Sequence, residues 1–448
     1  MSAVFVVVVV GALVVPWTGV AREPVSVTAL PEPTASLVSC SGPLLAVGRD
    51  ATDAAQVTDA AAQEVAAATG VDELDGSVSR LDAPDVSGGS GPEALTALPV
   101  DRVRTDLAAA GSARVDDDDL RGFAASSCAP PLMESWLVAG SGTTGAADVI
   151  LLSNPGGVAA EVALTVFGAE GASQPAAATG IIVPARTQRL LPVASLALGE
   201  ESPVIRVNAS GAPIQASLQA SITRTLLTGG VDQVGATAAP AEVQVIPAVP
   251  VVAAPGEAGA SESASVLRVL APSDDATATV TFTPVDGGTL LTQELPLTAG
   301  VPAELELGAL AVGSYRVEIS AGAPIVAGMW TTTGFGAGSD FAWHTVPSVL
   351  GVPSLVAIAE GPSPVLTISN EGDADAIVQV SGPDGETTVT VPARGAVRAA
   401  VVDAAVYRLA PESGTIRANV TYSGEGALAG YDVIPADAAA EPVIVYTQ

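Results

Sequence analysis

The chain has 448 residues, of which 48% are hydrophobic and 15% are charged, with 46 Gly and 34 Pro. This composition supports buried cores and excludes wholesale disorder, because the Gly and Pro share stays below that of low-complexity chains. The formal net charge is −31 and all 17 basic residues are Arg, so the surface repels nucleic-acid phosphates and anionic lipid headgroups. We therefore expect no nucleic-acid partner.

Residues 1–21 are predicted to be a signal peptide or a membrane anchor. The stretch Ala3–Val15 is almost entirely apolar, and Gly19 and Ala21 occupy the −3 and −1 positions of a cleavage site. Its length fits a signal-peptide core better than a membrane span of about 20 residues. An uncleaved anchor helix is the alternative if Pro16 is tolerated. Either way, the segment engages the membrane during export, and we expect an extracytoplasmic protein.

Residues 22–135 are predicted to form a degenerate β-rich domain, with a loosely ordered spacer as the alternative. Within them, Asp53–Gly70 is rich in Ala, so a helix is locally allowed by propensity. Cys40 and Cys128 lack metal-type spacing and predict one disulfide in an oxidising compartment, tying this region to the start of the next. Closing a loop of about 90 residues stabilises a fold by up to about 4–5 kcal/mol. Two buried free thiols are the alternative.

The remaining chain is predicted to contain three repeats, at 136–247, 248–350 and 351–448. Each repeat has a Leu-containing stretch followed by a second strand-like stretch, starting at Leu151 and Glu161, Leu267 and Thr277, and Leu366 and Ala376. Three later landmarks recur with a period near one hundred residues: an Arg at 206, 316 and 417, a Gly-Ala pair at 211, 322 and 426, and an Asp at 232, 340 and 432. We expect each Arg to lie on an outward strand face or to pair with an acidic neighbour.

The repeats are predicted to be all-β, as tandem Ig-like β-sandwiches that follow the N-terminal signal or anchor helix. Ala278, Val280 and Phe282 alternate with Thr, which is the period-two pattern of a half-buried strand. Asn-Pro, Asp-Gly and Gly-Gly pairs mark turns between short strands. Short strands at close intervals over about a hundred residues favour a two-sheet sandwich.

One segment gathers the candidate ligand-binding residues, since it holds the only histidine of the chain and four aromatic residues. These candidates are Trp330, Phe335, Asp340, Phe341, Trp343 and His344. The functional interpretation is a carbohydrate-binding platform, because aromatic rings bury large areas against sugars and tolerate polar rims. The alternative is that the aromatic residues fill a junction between the second and third repeats and that the Asp has a structural turn role.

Other chemistry finds little support in the sequence. His344 is the sole candidate base for a Ser nucleophile, and no Gly-x-Ser-x-Gly elbow is present. One His and a Cys pair do not make a usual zinc site. The run Asp116–Asp119 fits a calcium loop poorly and a solvated loop better. We therefore expect no metal, no cofactor and no catalytic residue, although a carboxylate pair of a glycoside hydrolase is not excluded by composition.

Several motifs resemble those of one family. They are the apolar N-terminal segment, Ser-Cys-Ser-Gly-Pro around Cys40, the Ser-Cys-Ala-Pro-Pro-Leu-Met-Glu-Ser-Trp stretch from Ser127, the Leu-Leu-Ser-Asn-Pro run from Leu151 and Gly-Gly-Val-Asp from Gly229. The chain resembles a family of uncharacterised secreted proteins of actinobacteria, a domain of unknown function often labelled large secreted protein. The resemblance implies an envelope-associated protein built of β-sandwiches, with no catalytic residues to transfer.

The sequence thus favours a non-enzymatic cell-envelope or secreted protein. Its sandwiches would act as a structural scaffold, or bind a wall component or a protein partner. A carbohydrate-binding module that uses the segment Trp330–His344 is the first alternative, and an unrecognised carboxylate-dependent glycoside hydrolase is the second.

Overall fold

The structure is a computed structural model that describes residues 26–29, 32–49, 53, 56–70, 76–101, 103–224, 227–253, 263–308, 310–436 and 443–446. The predicted signal or anchor segment 1–21 lies outside these residues. The described residues are all-β, as the sequence predicts, and their only helices are 3₁₀ turns at Ala176–Ala178 and Val193–Ser195. No helix within these ranges is long and apolar enough to cross a membrane.

The described part of the N-terminal region contains nine strands. They are β1 (Ser26–Ala29), β2 (Ser36–Ser39), β3 (Leu44–Val47), β4 (Val57–Ala61), β5 (Glu64–Thr69), β6 (Gly76–Arg80), β7 (Glu93–Ala97), β8 (Leu107–Asp116) and β9 (Arg121–Ser127). Two antiparallel sheets, ordered β2-β7-β6 and β5-β8-β9, form the N-terminal sheet pair, and β3 and β4 form a hairpin. Their side chains meet in a small core that includes Val38, Leu95 and Ala109.

The interpretation of Asp53–Gly70 as a stretch that can form a helix is wrong, because β4 and β5 occupy this stretch. Ala66, Ala67 and Ala68 of β5 pair directly with the Ala run of β8. Pairing across the sheet therefore overrides a weak local preference for helix.

The predicted disulfide between Cys40 and Cys128 is present. Cys40 directly follows β2 and Cys128 directly follows β9, so the bond joins the two sheets of the N-terminal pair. The disulfide therefore lies within the N-terminal region. The sequence analysis predicted instead that it connects this region to the start of the first repeat.

Sheet pair 1 follows, with nine strands. They are β10 (Glu134–Leu137), β11 (Val149–Asn154), β12 (Ala160–Gly168), β13 (Gly171–Ser173), β14 (Ile181–Val183), β15 (Thr187–Pro192), β16 (Val204–Ser210), β17 (Gln215–Arg224) and β18 (Leu227–Gly235). One sheet has the order β10-β16-β12-β13, with β14 also on β12, and the other has the order β15-β11-β17-β18.

Sheet pair 2 has seven strands, one of them unusually long. They are β19 (Ala241–Val251), β20 (Ser265–Leu270), β21 (Ala276–Pro284), β22 (Leu291–Leu297), β23 (Ala303–Glu306), β24 (Gly313–Thr332) and β25 (Phe341–Thr345). The first half of β24 pairs with β19 and β21, and its second half pairs with β20 and β25.

Sheet pair 3 has eight strands. They are β26 (Ser354–Ile358), β27 (Val365–Asn370), β28 (Ala376–Gly382), β29 (Gly385–Val391), β30 (Ala396–Ala400), β31 (Ala405–Ser413), β32 (Ile416–Gly424) and β33 (Ala427–Asp432). The sheets have the orders β26-β31-β28-β29 and β30-β27-β32-β33. Sheet pairs 1, 2 and 3 therefore repeat one strand order, when β24 is counted as two strands.

Two landmarks of the predicted repeat are wrong for the third copy. Arg206 and Arg316 lie on equivalent strands, β16 and the first half of β24, whose equivalent in sheet pair 3 is β31. The matching residue is therefore Arg408, whereas Arg417 lies one strand later, on β32. Likewise, Gly426 lies in the β32–β33 turn. Matching a short motif by spacing alone placed it one strand too late, because neighbouring strands of one sheet pair have similar sequences.

The expected outward position of the landmark Arg residues is also wrong for two of them. Arg316 is 2% exposed, and its Nη2 donates to Glu318 Oε2 at 2.7 Å. Arg417 is 6% exposed and pairs with Glu371. Both therefore follow the alternative of acidic pairing, which offsets the cost of removing a guanidinium from water.

Period-two alternation builds the cores. In β21, Ala278, Val280 and Phe282 are fully buried, while the intervening Thr residues are more exposed. Because successive side chains leave opposite faces of a strand, this pattern gives each sheet one apolar face. Residues from both sheets of a pair then meet in one aliphatic cluster in each of sheet pairs 1, 2 and 3.

Within Thr34–Ala438, each of the four sheet pairs contacts the next, and the last contacts the first. Gln219 of sheet pair 1 exchanges two hydrogen bonds with the backbone of Leu45, which lies on β3. Sheet pair 2 contacts pair 1 through Arg268, and sheet pair 3 contacts pair 2 through Asn419, whose Nδ2 donates to Ala248 O at 2.7 Å. Ser112 of the N-terminal pair donates to Glu360 O of sheet pair 3 at 2.6 Å, which closes the cycle.

The strands β1 and β34 (Val443–Tyr446) form a separate two-stranded antiparallel sheet. Ser26 pairs with Tyr446 and Ala29 pairs with Val443. These segments belong to a unit distinct from Thr34–Ala438.

Candidate functional site

The last strand of each sheet pair, here called its closing strand, borders the candidate site. The closing strands are β9, β18, β25 and β33, and β9 packs against β18 and β33 while β25 packs against the same two. The predicted binding segment Trp330–His344 covers the end of β24 and most of β25. The sequence prediction therefore fell on the place where all four sheet pairs meet.

Asp340 is the centre of this meeting point and is fully buried. Its carboxylate accepts hydrogen bonds from the backbone N–H groups of Phe123 at 2.9 Å, Val231 at 3.2 Å and Leu428 at 3.1 Å. These three donors lie in β9, β18 and β33, so one side chain is bonded to the other three sheet pairs. Carboxylates bound by several N–H groups make strong, charge-assisted hydrogen bonds.

The residues beside this carboxylate are small for a steric reason. Gly122 and Gly230 precede two of the three donors, and a Cβ on either would lie 2.6 Å from Asp340 Oδ1. Both have positive φ angles, 147° and 111°, a region that favours glycine. These glycines therefore leave room for the carboxylate within β9 and β18.

Two further aspartates bridge the closing strands. Asp232 Oδ2 accepts from Trp343 N at 2.7 Å, and Asp432 Oδ2 accepts from Thr345 Oγ1 at 2.7 Å. Burial raises the pKa of Asp340 and of Asp432 to about 7, and it raises the pKa of Asp232 well above its usual range. For Asp340, the backbone N–H donors oppose the effect of burial. The three aspartates found as repeat landmarks are thus contacts between sheet pairs.

His344 lies on the opposite face of β25 from Phe341 and Trp343. Its Nε2 is 3.1 Å from Thr331 Oγ1, and burial lowers its pKa to about 3. A Cβ at Gly430 would lie 2.9 Å from Nδ1, so the imidazole packs closely against β33. The structure therefore separates His344 from the aromatic residues with which the sequence grouped it.

The aromatic residues pack into sheet pair 1. Trp330, Phe341 and Trp343 belong to the same buried cluster as Leu218 and Val234, and Phe335 packs at its edge. The alternative of a junction between the second and third repeats is therefore wrong in its location, because the partner is sheet pair 1. Trp330 is 8% exposed and Trp343 is 6% exposed, so most of each ring is already covered by protein.

A cleft of about 520 Å³ borders this cluster, between sheet pairs 1 and 2. Trp330, Phe341 and Trp343 line one side, together with Arg268. The Arg268 guanidinium lies 4.7 Å from the centre of the Trp343 ring, and its Nε donates to Glu304 at 3.0 Å. The cleft thus combines covered aromatic rings with a paired cation.

Asp148 is the buried carboxylate of this cleft. It accepts from Ser141 N at 2.7 Å and from Ser221 N at 2.8 Å, one bond to each carboxylate oxygen. Burial raises its pKa to about 7. Because both oxygens hold backbone groups, the geometry fits a structural role better than that of a catalytic acid.

Comparison with known families finds one match for this chain. The family of unknown function DUF5719 matches residues 84–402, well over half of the chain. The chain belongs to DUF5719. The predicted membership of an uncharacterised family is thereby confirmed, and the DUF5719 match spans the closing strands β9, β18 and β25. A search of the curated proteins finds no match.

The acidic run Asp116–Asp119 of this DUF5719 protein is held by an arginine. Arg49 donates to Asp117 at 2.6 Å and to Asp119 at 2.7 Å. Within the described ranges, no group of His, Cys, Asp and Glu side chains is arranged to hold a metal ion.

Sequence reasoning missed Arg268, Asp148 and the glycines beside Asp340. The glycines had a readable signal, since Gly122 and Gly230 each stand inside a closing strand, where glycine is unusual. Arg268 and Asp148 had none, because the contacts that bury them, such as those with Pro203 O and Ser221 N, join residues far apart in the sequence.

Proposed function

We propose that this chain is a non-enzymatic cell-envelope or secreted protein in which four Ig-like β-sandwiches act as one structural scaffold. The N-terminal region is the degenerate fourth copy, and 136–247, 248–350 and 351–448 are the tandem repeats. The observation that carries this proposal is the Asp340 carboxylate, whose three partners come from the three other sheet pairs. In a chain of flexibly linked modules, the sheet pairs would not share such a buried contact.

A scaffold of this kind unfolds as a unit. Calorimetry of the full chain is expected to show one cooperative transition, because the sheet pairs share buried contacts. In Asp340→Ala, the transition is expected to broaden or split as the sheet pairs lose their common contact. Several separate transitions in the unaltered chain would refute the shared scaffold.

Export is the second part of the proposal, with residues 1–21 as a signal peptide or membrane anchor. The Cys40–Cys128 disulfide supports it, because disulfides persist in oxidising compartments. Cell fractionation should place the protein outside the cytoplasm, and a mature N-terminus at Arg22 would establish cleavage. Two alkylatable thiols, or recovery only from the cytoplasm, would contradict export.

A scaffold of the envelope holds a wall component or a protein partner. The cell-wall test is retention of the full chain on purified wall polysaccharide, and the partner test is cross-linking to envelope proteins in intact cells. If an exported chain showed neither retention on wall polysaccharide nor cross-linking to envelope proteins, the binding role would be refuted and a purely structural role would remain.

The second candidate function is carbohydrate binding in the cleft beside Trp330 and Trp343. Its support is the volume of about 520 Å³ and the combination of Arg268 with exposed acidic groups at Glu201 and Glu304. Trp343→Ala is expected to abolish retention on wall polysaccharide. Because Trp343 is buried, Glu304→Gln is the gentler variant, and unchanged retention in both folded variants would remove this candidate.

A further inference from the structure

A second cavity lies where the four closing strands end. It has a volume of about 430 Å³ and is lined by residues at or just beyond the ends of β9, β18, β25 and β33. Ser127, Gly235, Thr345 and Asp432 mark the four ends. The cavity therefore exists only where all four sheet pairs are assembled, and it is distinct from the cleft beside Trp330.

Its walls are largely apolar. Its lining includes the aromatic residues Trp136 and Trp343 and the aliphatic residues Val234, Val346 and Val433. All five side chains are at most 6% exposed, so the walls are fixed by packing. A volume of several hundred Å³ with apolar walls and few polar groups is typical of small-molecule sites.

The charged groups of the lining are carboxylates. Asp432 and Glu134 supply them, and no Arg, Lys or His stands among the described residues that line the cavity. Gln215 is 2% exposed, and its Oε1 has no hydrogen-bond partner in the part of the chain that the structure describes. A buried amide oxygen without a partner destabilises the fold, and a donor on a ligand would satisfy it.

The neighbouring charges do not cancel this acceptor character. Arg417 lies near Asp432, but its guanidinium is bonded to Glu371 and to Pro347 O. Arg206 and Arg268 lie against the Trp136 and Trp343 rings, outside the cavity lining. With a formal charge of −31 on the chain, the surrounding field favours a cation.

We infer that this axial cavity binds a small apolar molecule that carries one ammonium group, with Asp432 as the counter-ion. The apolar body fills the space between Trp136 and Trp343, and the ammonium group donates to the Asp432 carboxylate and to Gln215 Oε1. A ligand with an apolar body and an ammonium group matches both the apolar walls and the carboxylates of the lining. A carboxylate ligand would instead face two acidic groups.

The test compares three probes of similar size on the full chain: 2-phenylethylammonium, 2-phenylethanol and 3-phenylpropionate. Tryptophan fluorescence is followed at pH 8.5, where Asp432 is ionised because its pKa is about 7. The ammonium probe is expected to bind saturably and at least tenfold more tightly than the alcohol, with no binding of the carboxylate. Equal affinity for all three, or no saturable binding of any, overturns the inference.

Variants assign the binding to the cavity. Asp432→Asn is expected to reduce the preference for the ammonium probe to threefold or less, while Asp118→Asn, on an exposed loop, leaves it unchanged. Ala236→Phe fills the cavity from a half-buried position and is expected to weaken every probe. If Asp432→Asn fails to fold, Ala236→Phe still decides, because unchanged affinity in that variant contradicts the site.

Discussion

The interior of a sheet pair and the meeting point of the closing strands are built by opposite means. The core of sheet pair 2 is apolar and continuous, with Val280 and Phe282 fully buried among other apolar side chains. The meeting point is equally well buried from solvent but contains the carboxylates of Asp232 and Asp340. Apolar packing holds the two sheets of each pair together, and buried hydrogen-bonded carboxylates fix how the sheet pairs are arranged.

This difference has an energetic meaning. Loss of a methylene from an aliphatic core costs contacts that neighbours partly replace. Loss of the Asp340 carboxylate would leave backbone N–H groups of three sheet pairs without an acceptor, and each such group costs about 1–3 kcal/mol. Loss of a buried polar contact is therefore expected to disturb the arrangement of the sheet pairs more than loss of apolar atoms from a core does.

The largest expected effect is that of Asp340→Ala. Because Phe123, Val231 and Leu428 all lose their acceptor, we expect the free energy of unfolding to fall by about 5 kcal/mol or more. Chemical denaturation measures the loss. Asp118→Ala, in an exposed loop, is the matched control and should change stability by less than about 0.5 kcal/mol. Equal effects of the two variants would contradict a central role for this carboxylate.

The core is tested by Phe282→Ala. Removing this fully buried ring is expected to cost about 3–5 kcal/mol, again measured by denaturation. Thr281→Ala, on the other face of the same strand, should stay within about 0.5 kcal/mol. If Thr281→Ala proved as costly, the assignment of the two faces of β21 would be wrong.

Gly230→Ala tests the space beside the carboxylate. Its Cβ would lie 2.6 Å from Asp340 Oδ1 at a backbone φ of 111°, so we expect a loss of about 2–3 kcal/mol from strain and displacement. Gly157→Ala is a suitable control, because nothing lies within 4 Å of the Cβ it would add. A Gly230→Ala variant as stable as the control would show that the closing strands are not in close contact.

The smallest expected effect is the dependence of stability on pH. The pKa values of Asp148, Asp340 and Asp432 are about 7 in the folded chain, above the unfolded value of 3.8. The folded state then binds more protons between these values, so stability is lost as pH rises through 7 and gained as pH falls towards 4. His344 opposes this below its unfolded pKa of 6.5, because its folded pKa is about 3.

Three carboxyl groups outweigh one imidazole, so the melting temperature is expected to be several degrees higher at pH 5 than at pH 8. Thermal unfolding at fixed ionic strength measures the shift. A melting temperature that fell between pH 8 and pH 5 would show that the buried aspartates remain ionised in the folded state.

The sequence predicted the strands far better than their arrangement. Alternation in β21 and the turn pairs revealed an all-β chain, because period two and turn chemistry are local. The Ala-rich β5 was missed, since only its partner β8 makes it a strand. Likewise, spacing placed Arg417 one strand away from its supposed equivalents, because the pairing that distinguishes adjacent strands is not local.

The sequence singled out a segment that lies at the meeting point of the sheet pairs, but it did not reveal the contacts that the segment makes there. The segment Trp330–His344 was singled out for its aromatic residues, and it does contain the central Asp340. Alternation along β25 then sends Trp343 and His344 to opposite faces, which a list of residues does not reveal. The hydrogen-bond donors of Asp340 are backbone groups of Phe123, Val231 and Leu428, and backbone donors leave no mark in a sequence.

Amide hydrogen exchange tests the central claim most directly, by comparing the unaltered full chain with Asp340→Ala. The account predicts that peptides containing Phe123, Val231 and Leu428 are strongly protected, and that the variant accelerates their exchange together with that of β25. Exchange in the distant strand β29 should rise less. Acceleration confined to β25, with β9, β18 and β33 unchanged, would contradict a carboxylate shared by four sheet pairs.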